Sequence, residues 1–266
     1  MEFRTKVDIP APQFSIAPCE EMLFVGSCFA DNIGRRFAEE KFRATVNPFG
    51  VMYNPASILH TVSQTTCTPR VAVMTLGTNH VYILKSSGEI VDNCRKRPAA
   101  LFEERELTID ECCAYLRQAV DLLRARRADV RVIVTVSPIR YAKYGYHGSQ
   151  LSKATLLLAA DRLAKQLPDV VTYFPAYEIV NDELRDYRFY ADDMLHPSSM
   201  AVEYIWQRLV DTFFSPEAKT FLREWSPIKK GFAHRPTNPD APEYKAFISK
   251  LEEEKQQLAA KYPGLE

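Results

Sequence analysis

Short apolar runs alternate along the chain with longer stretches of helical period. The runs "MLFVG" (22–26), "VAVMTLG" (71–77), "VRVIVTV" (130–136) and "VVTYF" (170–174) are almost unbroken and rich in β-branched residues. Strands covered on both faces read this way, because neither side alternates with water. A weaker strand candidate is "RATVN" (43–47). Helical spacing predicts helices over 32–42, 55–63, 109–127, 151–166 and 199–213. In 109–127, Leu116, Val120 and Leu123 fall on one face, opposite Arg117, Arg124, Arg126 and Arg127, the amphipathic arrangement of a helix lying on a core. Strands alternating with helices predict an α/β fold with a mostly parallel sheet and helices on both faces. "VYILKSSGEIVDN" reads as a hairpin inserted after the 71–77 strand, turning at Ser87-Gly88.

Beyond Phe214 the pattern changes. "SPIKKGFAHRPTNPDAPEY" is rich in proline and charge and precedes the charged helical stretch "KAFISKLEEEKQQLAAKY". A chain of 266 residues suffices for one substantial core, so residues 1–214 are expected to form the main domain and 215–266 an appendage. Phe247, Ile248 and Leu251 share one face of the terminal helix, which would dock on its own core or on a partner.

Charge removes several function classes. Lys+Arg and Asp+Glu each total 34, giving a formal net charge of zero, so no global field steers the molecule to nucleic acid or anionic lipid. The arginines of 109–127 read as a solvated helix face. The stretch "MEFRTKVDIPAPQF" carries charge and proline where a signal peptide needs an apolar core, and no later run reaches membrane-spanning length. A soluble, cytoplasmic protein without membrane contact is expected. Six cysteines, Cys19, Cys28, Cys67, Cys94, Cys112 and Cys113, show no paired metal-ligand spacing. They read as reduced thiols, and neither a metal nor another cofactor is expected.

Three stretches carry candidate chemistry. In "LFVGSCFADNIG" the residues Ser27 and Cys28 stand where a strand gives way to a helix, a place where free backbone N–H groups and the helix dipole favour negative charge. In "RFYADDMLHPS", Asp193 and His196 are two residues apart. That spacing lets the carboxylate fold back on one imidazole nitrogen and leaves the other to act as a base. In "TLGTNHVY", Gly77, Thr78 and Asn79 end a strand and could aim N–H groups at a developing oxyanion; Gly50 in "NPFG" and Asn93 in "DNCRK" are further donor candidates. Arg140 and the tyrosines 141, 144 and 146 precede or flank His147 in a loop expected over the carboxyl end of the sheet, suited to a polar, sugar-like ligand. His80 reads as structural, and His60 and His234 have no partner visible in sequence.

These stretches resemble the SGNH, or GDSL-like, hydrolase superfamily. More closely, "GSCFADNIG", "NPFGVMYNP", "SPIRY", "LSKATLL", "YFPAYEI" and "LRDYRFYADDMLHPS" look like the GSCFA family, a bacterial branch named for the pentapeptide Gly26 to Ala30. The resemblance implies a flavodoxin-like three-layer α/β/α domain and an acyl-ester hydrolase or acyltransferase site, acting on a small-molecule or carbohydrate acyl ester. Carried over by motif, His196 is the base and Asp193 its orienting partner, with Asp192 a near alternative. Laying Gly26-Ser27-Cys28 on the superfamily's Gly-Asp-Ser puts Cys28 in the nucleophile position. Slipping by one residue uses Ser27 instead, and both stay open here. A binding or scaffold module that keeps the fold without turnover is the other reading.

Overall fold

A computed structural model describes residues 4–94 and 96–265. Strand β1 (Glu21–Gly26) leads into α1 (Cys28–Glu39), β2 (Arg43–Val46), α2 (Pro55–Gln64) and β3 (Val71–Leu76). A three-stranded insertion follows, β4 (His80–Leu84), β5 (Glu89–Val91) and β6 (Phe102–Glu106). The chain returns through α3 (Ile109–Arg126), β7 (Arg131–Val136), α4 (Gly145–Gln166) and β8 (Val171–Tyr173). A short helical turn α5 (Ala176–Glu178) runs into a π-helical segment over Ile179–Leu184, and then come α6 (Ser199–Phe213), α7 (Pro216–Ala233) and α8 (Pro242–Lys261).

The main sheet has the order β2-β1-β3-β7-β8, with every pairing parallel. Successive residues of β1 enter opposite cores: Met22 and Phe24 pack with α1, α6 and α7, whereas Leu23 and Val25 pack with α2, α3 and α4. The two-residue period of a strand therefore builds the three-layer α/β/α arrangement in flavodoxin-like order. Connections from β1 run to β2 on one side and those from β3 onward to the other. The carboxyl ends of β1 and β3 thus form the switch point, where open α/β sheets bind ligands.

The expected strands and the helices at 55–63, 109–127 and 199–213 are present within a residue or so of their predicted limits. The hairpin is also present, and β6 pairs with β4 to widen it into a separate antiparallel sheet. "FEERE" escaped the sequence reading because only Phe102 of it is buried. Helix α1 begins four residues earlier than expected and α4 six residues earlier. The proline- and charge-rich stretch 226–244 begins inside a helix: Pro216–Ala233 form α7, capped by Ser215 with Pro216 in the first turn and with Pro227 accommodated inside the helix. The C-terminal helices lie on the main core: Trp225 Nε1 donates to the Glu39 carbonyl at 3.3 Å, and Phe221 packs edge-on to Tyr262 at 5.0 Å. Leu251 and Leu258 are buried, whereas Phe247 is exposed.

Candidate active site

The β1–α1 turn is fixed residue by residue. Gly26 has φ +138°, and a Cβ there would lie 2.1 Å from the Thr75 carbonyl oxygen of β3, so only glycine permits the two strands to end so close together. Ser27 donates its N–H to Thr75 O at 3.0 Å. Its hydroxyl caps α1 by accepting from Phe29 N at 3.3 Å, lies 3.0 Å from Thr75 Oγ1, and is buried. Cys28 is the first helical residue, and Phe29 and Ala30 turn into the core. The Cys28 thiol remains partly exposed, 3.8 Å from the Tyr53 hydroxyl. Burial, and then the neighbouring Cys28, push the Tyr53 phenol up to about 12.

Asp193 and His196 come together as their spacing predicts. Asp193 Oδ1 accepts the N–H groups of Leu195 and His196, both at 2.9 Å, and Oδ2 lies 2.6 Å from His196 Nδ1. The backbone N–H of His196, that of Leu195 and the imidazole hold the carboxyl down at about 2. An ionised carboxylate only accepts, so Nδ1 is the donor in this contact. Among the described residues Asp192 makes no hydrogen bond to His196. The loop is held from outside by Arg140, whose N–H donates to Leu195 O and whose Nη1 donates to Met194 O, both at 3.0 Å. The Arg140 guanidinium lies over Tyr146 at 4.2 Å and near Tyr187 and Tyr190. It lines the cleft while serving the loop.

Cys28, His196 and Ser27 line one cleft of about 420 Å³ at the β1/β3 switch point. Its walls are aromatic. Tyr53 meets Tyr141 edge-on at 5.9 Å, Tyr141 stacks on Tyr144 at 5.9 Å, and His80 stacks on Tyr144 at 3.6 Å. Burial lowers the His80 pKa against the pull of Glu106 and Glu104. Lys143 Nζ reaches Glu104 at 2.9 Å, and Tyr144 donates to the same carboxylate at 2.7 Å. His147 is exposed on the first turn of α4.

The amides expected to hold an oxyanion are engaged elsewhere. Gly50 N donates to Asn47 O at 2.8 Å, closing its own tight turn. Gly77 N and Thr78 N both donate to Tyr53 O, at 2.9 and 2.8 Å. Asn79 is buried, with N–H donated to Ser152 Oγ at 3.0 Å and Nδ2 to Leu107 O at 2.8 Å. Thr78 lines the Cys28 cleft, whereas Gly50 and Asn93 line a neighbouring cavity of about 710 Å³ beside the β4–β5 hairpin. Asp92 borders both and holds His60 Nδ1 at 2.8 Å, which raises the imidazole pKa.

Sequence reasoning missed Asn54 and Lys153 and undervalued His80. Asn54-Pro55 is a helix-start signature in plain view, and it places Asn54 in the cleft wall. Lys153 is fully buried, donates to the Gly77 carbonyl at 2.6 Å, and is lowered by burial to about 7. Nothing in the period of α4 marks it. Among the described residues no three His, Cys, Asp or Glu side chains gather into a metal-binding group, and no helix is long and apolar enough to cross a membrane.

The GSCFA family model matches residues 21–69 and 61–209, and the model of the GSCFA C-terminal domain matches 225–266. The chain belongs to the GSCFA family. Its naming pentapeptide is thereby accounted for physically: Gly26 for the close approach of β3, Ser27 for the cap, Cys28 at the cleft, Phe29 and Ala30 for the core. No curated protein matches in sequence. Solved structures similar to this GSCFA protein include a carbohydrate esterase of family 3 from Talaromyces cellulolyticus, at 12% identity and TM-score 0.47, covering 77% of this chain and 99% of that one. A catalytic mutant of an acetylxylan esterase from Geobacillus stearothermophilus is similar at 16% identity and TM-score 0.48, covering 76% and 98%.

Proposed function

We propose that this GSCFA protein is an ester hydrolase or acyltransferase with Cys28 as nucleophile, His196 as general base and Asp193 as the group that orients it. The observation that carries this reading is the meeting of a thiol at the open first position of α1 with an aspartate-held imidazole in one cleft. His196 Nε2 accepts the thiol proton and Sγ attacks the acyl carbon. The ester C–O bond then breaks, the alcohol leaves with the proton from His196, and a thioester remains on Cys28. Water or an acceptor alcohol or amine, deprotonated by the same nitrogen, releases the acyl group. A thioester is intercepted by such acceptors more readily than an oxygen ester, which favours transfer.

Cys28 is preferred over Ser27 because the Ser27 hydroxyl is buried against Thr75 and already caps the helix. The aromatic walls of the cleft offer stacking faces to a ring, so an acylated carbohydrate fits as the substrate class. The test is hydrolysis of short-chain p-nitrophenyl and acetylated-sugar esters by the intact chain beside Ser27→Ala, Cys28→Ala, Cys28→Ser and His196→Ala. Loss on changing Cys28 or His196, with activity kept in Ser27→Ala, is expected. Full activity in Cys28→Ala overturns the assignment, and inactivity of the intact chain on every ester and acceptor tried favours a binding module.

A further inference from the structure

Tyr53 stands in the cleft beside Cys28, and the acyl-transfer steps above give it no part. Its hydroxyl lies 3.8 Å from Cys28 Sγ, within reach of a hydrogen bond to sulfur. The residue is held at both ends. Its carbonyl accepts from Gly77 N at 2.9 Å and from Thr78 N at 2.8 Å, just beyond the carboxyl end of β3, and its ring meets Tyr141 edge-on at 5.9 Å. Tyr141 is fixed in turn: its N–H donates to Ser149 Oγ at 3.1 Å and its ring stacks on Tyr144. A neutral phenol and a neutral thiol can each donate to the other, and thiol sulfur is weak in both roles. Once His196 takes the thiol proton, sulfur only accepts, and the phenol becomes the donor to an anion, a markedly stronger contact. Burial and the neighbouring Cys28 push the phenol up to about 12, so it keeps its proton while the thiol loses its own.

We propose that Tyr53 is a catalytic residue of this protein, its hydroxyl donating a hydrogen bond to the Cys28 thiolate and so favouring ionised sulfur over the thiol. The role rests on the acyl-transfer reading above and adds to His196 a second group acting on the nucleophile. No proton leaves the phenol, since the thiol proton goes to His196 Nε2. The contact forms as the thiolate appears, lapses when Sγ bonds to the acyl carbon, and returns when the thioester C–S bond breaks and sulfur leaves with the electron pair. A thiolate held in this way is more abundant below its titration midpoint and less nucleophilic above it.

Those opposite effects separate the role from a structural one. Alkylation by iodoacetamide forms an S–C bond and releases iodide, and its rate reads the thiolate. It is followed at the Cys28 peptide by mass spectrometry, on the full chain, at pH values on both sides of the ordinary thiol value of about 8.5. Tyr53→Phe keeps the ring against Tyr141 and removes only the hydroxyl. Charged and titratable groups face the pair from Asp31 on α1, from His80, Tyr82 and Asp92 of the insertion, from Arg140, Tyr141, Lys143 and Tyr144 after β7, and from His196 before α6; the variant leaves them all in place. The midpoint of the profile is expected to move up by about 1 pH unit. With a Brønsted exponent of about 0.4–0.5, Tyr53→Phe then alkylates about 3-fold more slowly than the intact chain well below both midpoints and about 3-fold faster well above them. The same shift is expected when Tyr53→Phe is made in a His196→Ala background, because the phenol acts on sulfur directly. An unmoved midpoint, or loss by one factor at every pH, makes Tyr53 a packing residue and overturns the assignment. A shift that needs His196 makes Tyr53 a support for the imidazole and also overturns it. Failure of the intact chain to acylate at Cys28 with p-nitrophenyl acetate overturns the acyl-transfer reading instead, and the alkylation profile still decides the contact.

Discussion

Asp193 uses both carboxylate oxygens, one for the backbone of its own loop and one for the His196 imidazole. Asp193→Asn can keep the backbone contacts but cannot accept from Nδ1–H through its amide nitrogen, so the imidazole turns to the wrong tautomer. We expect kcat/KM for the esters above to fall by about 10³–10⁴, with Tm little changed, since the side chain is exposed; a rate-neutral variant would remove Asp193 from the mechanism. Lys153 makes a different prediction. Its folded pKa of about 7 lies below its ordinary 10.5, so between those values the unfolded chain binds the proton and the folded one does not. The penalty for burial is therefore complete below pH 7, and stability rises with pH through the window, by up to about 1.4 kcal/mol per pH unit. Urea denaturation of Lys153→Met should show greater stability than the intact chain near neutrality, with the gap closing toward the upper end. A gap independent of pH would contradict a charge-burial origin. At this scale the Asp193–His196 contact was legible because the spacing of the pair carries chemistry, whereas Ser27 and Cys28 stood as alternatives because burial of the Ser27 hydroxyl is not written in the turn's sequence. Lys153 was not legible, because its significance comes from which neighbours it is bonded to.

Helix starts decide where the groups stand. Gly26→Ala would put a methyl 2.1 Å from Thr75 O at a φ of +138°, combining backbone strain with overpacking. Destabilisation of about 2–5 kcal/mol is expected, measured by urea unfolding, together with loss of Cys28 acylation. Wild-type stability in this variant would show that the turn can open. At α3, Thr108 accepts Glu111 N at 3.2 Å while Glu111 accepts Thr108 N at 2.8 Å. Thr108→Ala should lower stability by about 1 kcal/mol without altering ester turnover. The buried strands were legible from their apolar runs, since two covered faces leave no room for polar residues. Helix α1 begins earlier than expected because Phe29 and Ala30 extend the buried face of Ile33, Gly34 and Phe37 back to the Ser27 cap, through small residues that read in sequence as a turn. Helix α7 was hidden by Pro227, a residue that ordinarily ends a helix.

Across the whole molecule, the sheet order places the cleft and the C-terminal hairpin covers the far end of α1. Trp225 bonds Glu39, Lys229 bonds Glu40 at 2.9 Å, and Tyr262 donates to Glu224 at 2.9 Å beneath Phe221. We infer that residues 215–266 unfold with the α/β domain as one unit. Trp225→Ala should lower stability by about 3–5 kcal/mol within a single cooperative transition; two separate transitions would make the hairpin an independent module. The three-layer order was legible in sequence from the alternation of elements, but the docking of 215–266 depended on long-range contacts that no local pattern encodes. The central claim is that Cys28 and His196 act as a nucleophile and its base. Its most direct test is mass spectrometry of the intact chain after a brief exposure to p-nitrophenyl acetate, with His196→Ala in parallel. One acetyl group on the Cys28 peptide, formed much more slowly without His196, is the result predicted; an acetyl group on Ser27, or equal labelling in both proteins, would contradict it.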